Sequence, residues 1–467
     1  MNNMKRSIRR VFWMLALCFF LLLGYLGKLV LIDREAISTN AYNTRMRYDD
    51  KSIRRGDILD SDGAVIATSV RQEDGTYRRE YPRARMVAHV TGYSSVGKTG
   101  VEAAKNFQLM HLNDEIVQRA SGIISGKELV GNSVALTIDM DIQSLAGDLL
   151  GSARGAIVVM DPSTGRILAL QAYPDFDPNT VEENWSTLKD REDSPLVNRA
   201  TQGLYPPGST FKLISALSIM QNISDWETRT YECSGSATFN GKSIRCYNHT
   251  AHGLVNLADA MRVSCNCYFA EMMTEIGGKK LTAMMRGAGM DTPYGFELAH
   301  SQSSIGLAAE STESELVETA IGQGRTLVTP LYMAMFASAI ANDGVMMKPY
   351  IIDHLVYENG NVAERTVPKK LTQICTAEEA AVLREMMLLV VESGTGTLAS
   401  VDGLLVAGKT GTAQNATGND HSWFIGFAPA DDPQVAVAVI IEDMSRHGSA
   451  TPIAGKMLKK ALEEIQK

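Results

Sequence analysis

Residues 11–32, VFWMLALCFFLLLGYLGKLVLI, make a run of 22 residues with one charge, Lys28. A run this long and apolar on every side is a poor core helix, and about 20 such residues suffice to cross a bilayer. Lys28 lies close enough to one end to snorkel. MNNMKRSIRR, just before it, carries four basic residues and no acid. Positive charge of this kind stays in the cytoplasm, so residues 1–10 are read as a cytoplasmic tail, 11–32 as a transmembrane helix, and everything after 32 as extracellular. A cleaved signal would have a shorter apolar core and a small-x-small site, which is not evident; the segment is read as an uncleaved single-pass anchor in the cell membrane.

The chain has 467 residues, too many for one ordinary core. Its formal net charge of −8 argues against nucleic acid as a partner. Residues 33–132 are polar and mixed, and hold RRGDILDSDGAVIATS, a strand–turn–strand pattern with Asp62-Gly63 at the turn. They are read as a short α+β pedestal, dimerisation-like domain. From Ser133 the texture changes. VALTIDMDIQSLAGDLLGSA starts as a strand and becomes an amphipathic helix. GAIVVMDPSTGRILALQA and HSWFIGFAPADDPQVAVAVIIED each read as two apolar strands about a turn, and PIAGKMLKKALEEIQK reads as a closing helix. Strands at both ends of 133–467 with helical segments between them predict an α/β domain. Its sheet is expected to be mostly antiparallel and assembled from sequence-distant parts.

Of six cysteines, Cys18 lies in the apolar span. Cys233 and Cys246 flank SGSATFNGKSIR, a hairpin pattern about Asn240-Gly241. A two-residue turn there pairs Phe239 with Lys242 and leaves the two cysteines two positions out of opposition, so a Cys233–Cys246 disulfide requires a bulge or a loosened strand end. Cys246 with Cys265 or Cys267 is the other pairing. Cys233, Cys246, His249 and His252 resemble a zinc set, but the spacing fits no zinc pattern well, and no metal site is assigned.

The chemistry lies in LYPPGSTFKLISAL, residues 204–217. Pro206 and Pro207 stop any earlier helix, Gly208 allows a sharp turn, and a helix can begin at about Ser209. Ser209 and Lys212 then share a face, with Lys212 Nζ in reach of Ser209 Oγ. A serine needs a base to become a nucleophile, and a lysine is a base only when burial or a second cation lowers its pKa. On its own, S-x-x-K more often marks a helix cap with a solvated lysine. Here it is followed by Ser264-Cys265-Asn266, an S-x-N, and by Lys409-Thr410-Gly411, a K-T-G, in the order found in β-lactamases and penicillin-binding proteins.

With these motifs the chain resembles the class B penicillin-binding proteins, membrane-anchored D,D-transpeptidases of peptidoglycan synthesis. RRGDILDSDGAVIATS, GQGRTLVTPLYMAMFASAIANDG, VVESGTGTLAS and HSWFIGFAP fit the same family, and the likeness covers nearly all of residues 53–467. Two features depart from it: only about 100 residues lie between anchor and catalytic region, short for the class, and cysteines flank Asn266, where they read as small buried residues. The resemblance implies that Ser209 is acylated by a D-alanyl-D-alanine end and that Lys212 accepts its proton. Ser264 relays a proton to the leaving amine, with Lys409 tuning it. Asn266 holds Lys212 and the substrate amide. Thr410, Gly411 and Thr412 bind the substrate carboxylate and strand, and the N–H groups of Ser209 and Thr412 form the oxyanion hole. It implies no cofactor, β-lactam antibiotics as inhibitors, and a separate membrane glycosyltransferase as partner. A D,D-carboxypeptidase or β-lactamase of the same fold remains an alternative, although no E-x-x-x-N set follows Ser264. A non-catalytic β-lactam sensor or cell-wall scaffold is another, and a tail of about ten residues leaves it no folded domain inside the cell.

Overall fold

The computed structural model describes residues 2–31, 51–110, 130–357, 359–414 and 418–467. A 30-residue helix, Asn2–Leu31, contains the apolar window Arg9–Lys28, with mean hydropathy 1.9 and none of it covered by the rest of the protein. It takes in the basic tail and most of the span. Residue 32 and the start of the pedestal segment, to residue 50, lie outside the described residues, as do 111–129.

The centre is a five-stranded sheet in the order Ala407–Ala413, His421–Ala428, Val435–Ile441, Gly155–Met160, Ile167–Tyr173. Every neighbouring pair is antiparallel, as expected. Val435–Ile441 is buried at all seven positions, so it has no solvent face and reads as a continuous apolar run. Successive side chains point to opposite faces. Ile157, Val159, Val437 and Val439 pack with Ala454 and Leu458 of the closing helix Ala450–Ile465 and with Ile142 and Ala146 of the helix Met140–Leu150. Ala156, Val158, Ala436 and Ala438 face the other way, into the core that holds the helix Pro330–Ala341. That helix, within GQGRTLVTPLYMAMFASAIANDG, is apolar all round because it is buried all round. Trp423, fully buried, donates from Nε1 to the Pro206 carbonyl at 3.0 Å and so ties the sheet to the segment before Ser209.

A second sheet has six strands, in the order Val362–Arg365, Ile352–Val356, Ser133–Leu136, Ile58–Leu59, Val65–Arg71, Tyr77–Glu80. The Asp62-Gly63 turn forms as read, with Gly63 at φ +82° and the strands on either side antiparallel. Pairing in this sheet runs across residue 133 and recruits strands from beyond residue 350, which nothing local in the sequence announces. Arg55 and Arg79 clamp the buried Glu102 beside it, each at 2.6 Å.

Candidate active site

Gly208–Phe211 forms a single 3-10 turn, and the α-helix Lys212–Asn222 follows. Ser209 therefore sits on the tight turn and Lys212 opens the α-helix, one turn later than the sequence suggested. The turn is gripped from two sides. Gly208, at φ +55°, donates to the Gly322 carbonyl at 2.9 Å, and a side chain on it would meet Thr412 O at 2.5 Å. A Cβ on Gly322 would stand 1.9 Å from Gly208 O. The Gly-Gln-Gly stretch thus serves as the back wall of the serine turn.

Ser264 lies between the helices Leu257–Arg262 and Asn266–Ile276, at φ +57°. A left-handed serine is strained and needs surrounding structure to hold it; it lets the chain reverse within three residues and faces Oγ toward the lysines. Cys265 caps the second helix, its Sγ accepting from Tyr268 N at 3.5 Å. Lys409 and Thr410 lie on Ala407–Ala413, the edge strand of the five-stranded sheet. Gly411 lets that strand approach the serine turn: a side chain there would meet Thr210 and Trp423 at 3.0 Å.

The structure brings all three motifs together around Ser264. Lys212 Nζ donates to Ser264 O at 2.7 Å, Ser264 Oγ at 3.1 Å and Asn266 Oδ1 at 2.5 Å. Lys409 Nζ donates to the same Ser264 Oγ at 3.1 Å and to Thr410 O at 3.0 Å. Asn266 is fixed in turn by donating to Arg245 O at 2.7 Å. Lys212 spends its three protons on the S-x-N turn rather than on Ser209 Oγ, a difference from the simple i to i+3 reading; catalytic contacts often tighten only once substrate is bound.

Both lysines are fully buried. Burial lowers the Lys212 pKa to about 8, against an upward pull from Cys265, Cys246 and Cys267. Burial also pushes Lys409 well down, and the charge of Lys212 pushes it further. Ser209, Ser264, Asn266, Thr410 and Thr412 line one open cleft of about 720 Å3. Sequence reasoning missed two further residues of this cleft. Thr395 Oγ1 and Thr410 Oγ1 share a hydrogen bond of 2.6 Å, and Gln323 donates to Thr412 O at 3.4 Å. Their only signal was position: Thr395 within VVESGTGTLAS, Gln323 within GQGRTLVTP.

The cysteines also gather here. The hairpin forms with Phe239 opposite Lys242 and Asn240 and Gly241 both at positive φ. Cys246 Sγ lies 3.7 Å from Cys233, 3.8 Å from Cys265 and 3.7 Å from Cys267. These separations exceed the disulfide bond length of about 2.05 Å.

Residues 155–463 match the family described as penicillin binding protein transpeptidase domain, and residues 55–134 match the penicillin binding protein A dimerisation domain. The chain is 33% identical to the peptidoglycan D,D-transpeptidase PbpA of Mycolicibacterium smegmatis, over 99% of this chain and all of that protein. It is 32% identical to the peptidoglycan D,D-transpeptidase MrdA of Acinetobacter baumannii, over 80% of this chain and 65% of that one. Among solved structures it is similar to penicillin-binding protein A from M. tuberculosis as an imipenem acyl-enzyme complex, with TM-score 0.83, 31% identity, and 89% and 99% of the two chains covered. It is also similar to the D,D-transpeptidase domain of a peptidoglycan glycosyltransferase from Eggerthella lenta, with TM-score 0.80, 36% identity, and 89% and 99% covered.

Proposed function

Because the chain belongs to the class B penicillin-binding proteins, we propose that its cleft is the centre of a peptidoglycan D,D-transpeptidase acting through a Ser209 acyl-enzyme. The observation that carries the assignment of residues is the junction at Ser264, where two buried lysines from distant segments meet one hydroxyl in the cleft that Ser209 also lines. The substrate is a stem peptide ending in D-alanyl-D-alanine, and β-lactams are inhibitors that occupy the same serine.

Ser209 Oγ attacks the carbonyl of the penultimate D-alanine, and its proton passes to neutral Lys212. N–H groups of Ser209 and Thr412 hold the oxyanion, a contribution of about 3 kcal/mol per donor in comparable enzymes. Ser264 Oγ, hydrogen-bonded to both lysines, passes a proton to the departing amine, and the peptide bond breaks. The amine of a second stem peptide then attacks the ester, the new amide forms, and Ser209 recovers its proton. In a β-lactam the broken amide is part of a ring, so the leaving nitrogen stays attached and the acyl-enzyme persists. Among the described residues the edge strand Ala407–Ala413 pairs with a strand on one side only, so an extended peptide can pair on the other, with the Thr410 hydroxyl, oriented by Thr395, directed at its carboxylate. Asn266 positions both Lys212 and the substrate amide.

The division of labour follows the chain: residues 1–10 a cytoplasmic tail, 11–32 a membrane anchor, 33–132 a pedestal, 133–467 the catalytic domain. Glycan strands come from a separate membrane glycosyltransferase that docks on the anchor and pedestal. The test is the intact mass of the full chain in detergent after exposure to benzylpenicillin. One adduct, mapping to Ser209 and absent from Ser209→Ala, is expected; labelling elsewhere would refute the assignment.

A further inference from the structure

The cleft carries two charges that the acyl-transfer steps do not use. Of the described residues that line it, Arg245 alone bears a guanidinium or ammonium group and Asp420 alone a carboxylate. Lys212 and Lys409 are fully buried behind its surface. Asp420 belongs to the strand side: it precedes His421, which pairs with Ala413 at the end of the edge strand. Arg245 belongs to the S-x-N side. It ends the hairpin strand Lys242–Arg245, and its carbonyl accepts from Asn266 Nδ2 at 2.7 Å. Side chains alternate along that strand, with Ile244 buried and Arg245 exposed.

Basic side chains on neighbouring segments have acidic partners. Lys242, on the same strand, pairs with Glu318, and Arg262, just before Val263 of the cleft wall, pairs with Asp259 at 3.4 Å. Among the described residues the Arg245 guanidinium has neither an ion pair nor a hydrogen bond. The loop that follows is strained. Asn248 and His249 stand at φ +51° and +55°, in the left-handed region, and Tyr247 before them is 77% exposed. Strain of this kind collects at ligand clamps. Here it turns the chain so that Arg245, Tyr247, Asn248 and His249 all line the cleft.

A guanidinium without a partner at a cleft surface suits a carboxylate, in a two-pronged contact that an ammonium cannot copy. The C-terminal carboxylate of the substrate is taken by Thr410, and Asp420 repels a second anion on that side. A carboxylate for Arg245 therefore lies upstream of the scissile bond. In the acyl-enzyme pose Asn266 holds the amide that joins the penultimate D-alanine to the residue before it, and Arg245 is one hydrogen bond from Asn266. We propose that Arg245 is a specificity-determining residue for the donor peptide, binding a free carboxylate at the end of the side chain that precedes D-alanyl-D-alanine. The inference rests on the acyl-enzyme reading of Ser209. The substrate class it selects is a stem peptide whose residue at that position is a diamino diacid with its side-chain carboxylate free, over one with lysine or with that carboxylate amidated.

The test uses two penicillins of one shape on the full chain in detergent. Both carry a seven-carbon diacyl side chain, heptanedioyl, which ends in a carboxylate in one and in the corresponding amide in the other. The parent should be acylated at least tenfold faster by the acid than by the amide, compared as second-order rate constants. The ratio should shrink as salt is raised, because the guanidinium is exposed. In Arg245→Gln it should fall to within twofold of one, and in Arg245→Lys to an intermediate value. Lys242→Gln, which removes a cation from the same strand but not from the cleft wall, should keep the parental ratio. Equal rates with acid and amide in the parent would overturn the proposal, as would a tenfold ratio that survives Arg245→Gln or is lost in Lys242→Gln. Benzylpenicillin, whose side chain is uncharged, separates the two readings. An adduct at Ser209 in the parent, with equal acid and amide rates, removes only the role of Arg245; no adduct at Ser209 removes the acyl-enzyme reading and this one with it.

Discussion

Two of the molecule's clusters of buried charge are built in opposite ways. Beside the six-stranded sheet, Glu102 is wholly enclosed, yet Arg55 and Arg79 each meet one of its oxygens at 2.6 Å, and Arg55 also donates to Asn106 at 2.8 Å. Burial alone would raise the Glu102 carboxyl; Arg79 and Arg55 override it and hold the pKa below the usual carboxylate value. In the cleft, Lys212 and Lys409 are as deeply buried, share one hydroxyl, and among the described residues donate to no carboxylate. Their partners are a carbonyl, a hydroxyl and an amide, which satisfy donors without neutralising charge. The first arrangement keeps its groups ionised and serves the fold. The second makes ionisation costly, and a lysine that gives up its proton easily is what a serine nucleophile requires.

Breaking each cluster should therefore produce different losses. The largest is expected at Lys212. Lys212→Arg keeps the positive charge but cannot release a proton, so β-lactam acylation should fall about 10^2–10^4-fold, the usual range for a lost general base. Circular dichroism of the variant should match the parent. A near-normal acylation rate would mean that another group takes the serine proton.

Next comes Glu102→Gln, which strands two buried guanidinium groups. Removing one member of a buried ion pair typically costs about 3–5 kcal/mol, to be read from denaturant midpoints of the detergent-solubilised chain. Acylation per folded molecule should stay close to that of the parent. A stability loss below about 1 kcal/mol, the range of exposed pairs, would mean the cluster is hydrated and the contrast with the lysines is false.

The smallest expected effect is at Thr395→Val, which removes the hydroxyl that orients Thr410. Loss of one hydrogen bond, worth about 1 kcal/mol, should slow acylation by a carboxylate-bearing penicillin about fivefold, measured as the second-order rate constant. An unchanged rate would leave Thr410 as its own positioning group.

What the sequence made legible follows from range. Gly63, Asn240-Gly241 and the Pro206-Pro207-Gly208 turn are local devices, and each forms where it was read. Four strands of the antiparallel sheet were legible as two apolar strand–turn–strand stretches, whereas Ala407–Ala413, with Lys409, Thr410 and Thr412, has no such apolar run. The three motifs survived as a set because their order, rather than any one of them, carries the information. The rest depends on contacts between distant segments. The strand Ile352–Val356 pairs on one side with its hairpin neighbour Val362–Arg365 and on the other with Ser133–Leu136, some 200 residues earlier, and its own residues do not announce that second partner. Arg55 and Glu102 are 47 residues apart. Cys265 meets Cys233 and His252 only after the hairpin and helix fold against each other. Thr395 has no chemistry until it is seen touching Thr410.

The proposed role of Lys212 as the base for Ser209 rests on its burial without a carboxylate partner among the described residues. It is tested most directly by the pH dependence of penicillin acylation of the full-length protein under conditions where it stays folded. Only neutral Lys212 can accept the serine proton, and its pKa is lowered to about 8. The rate should rise with pH, about tenfold per unit at first, and level off above about pH 8, more than two units below the value of an ordinary lysine. A profile that keeps climbing past pH 10, or is flat from pH 6 to 10, would contradict the claim.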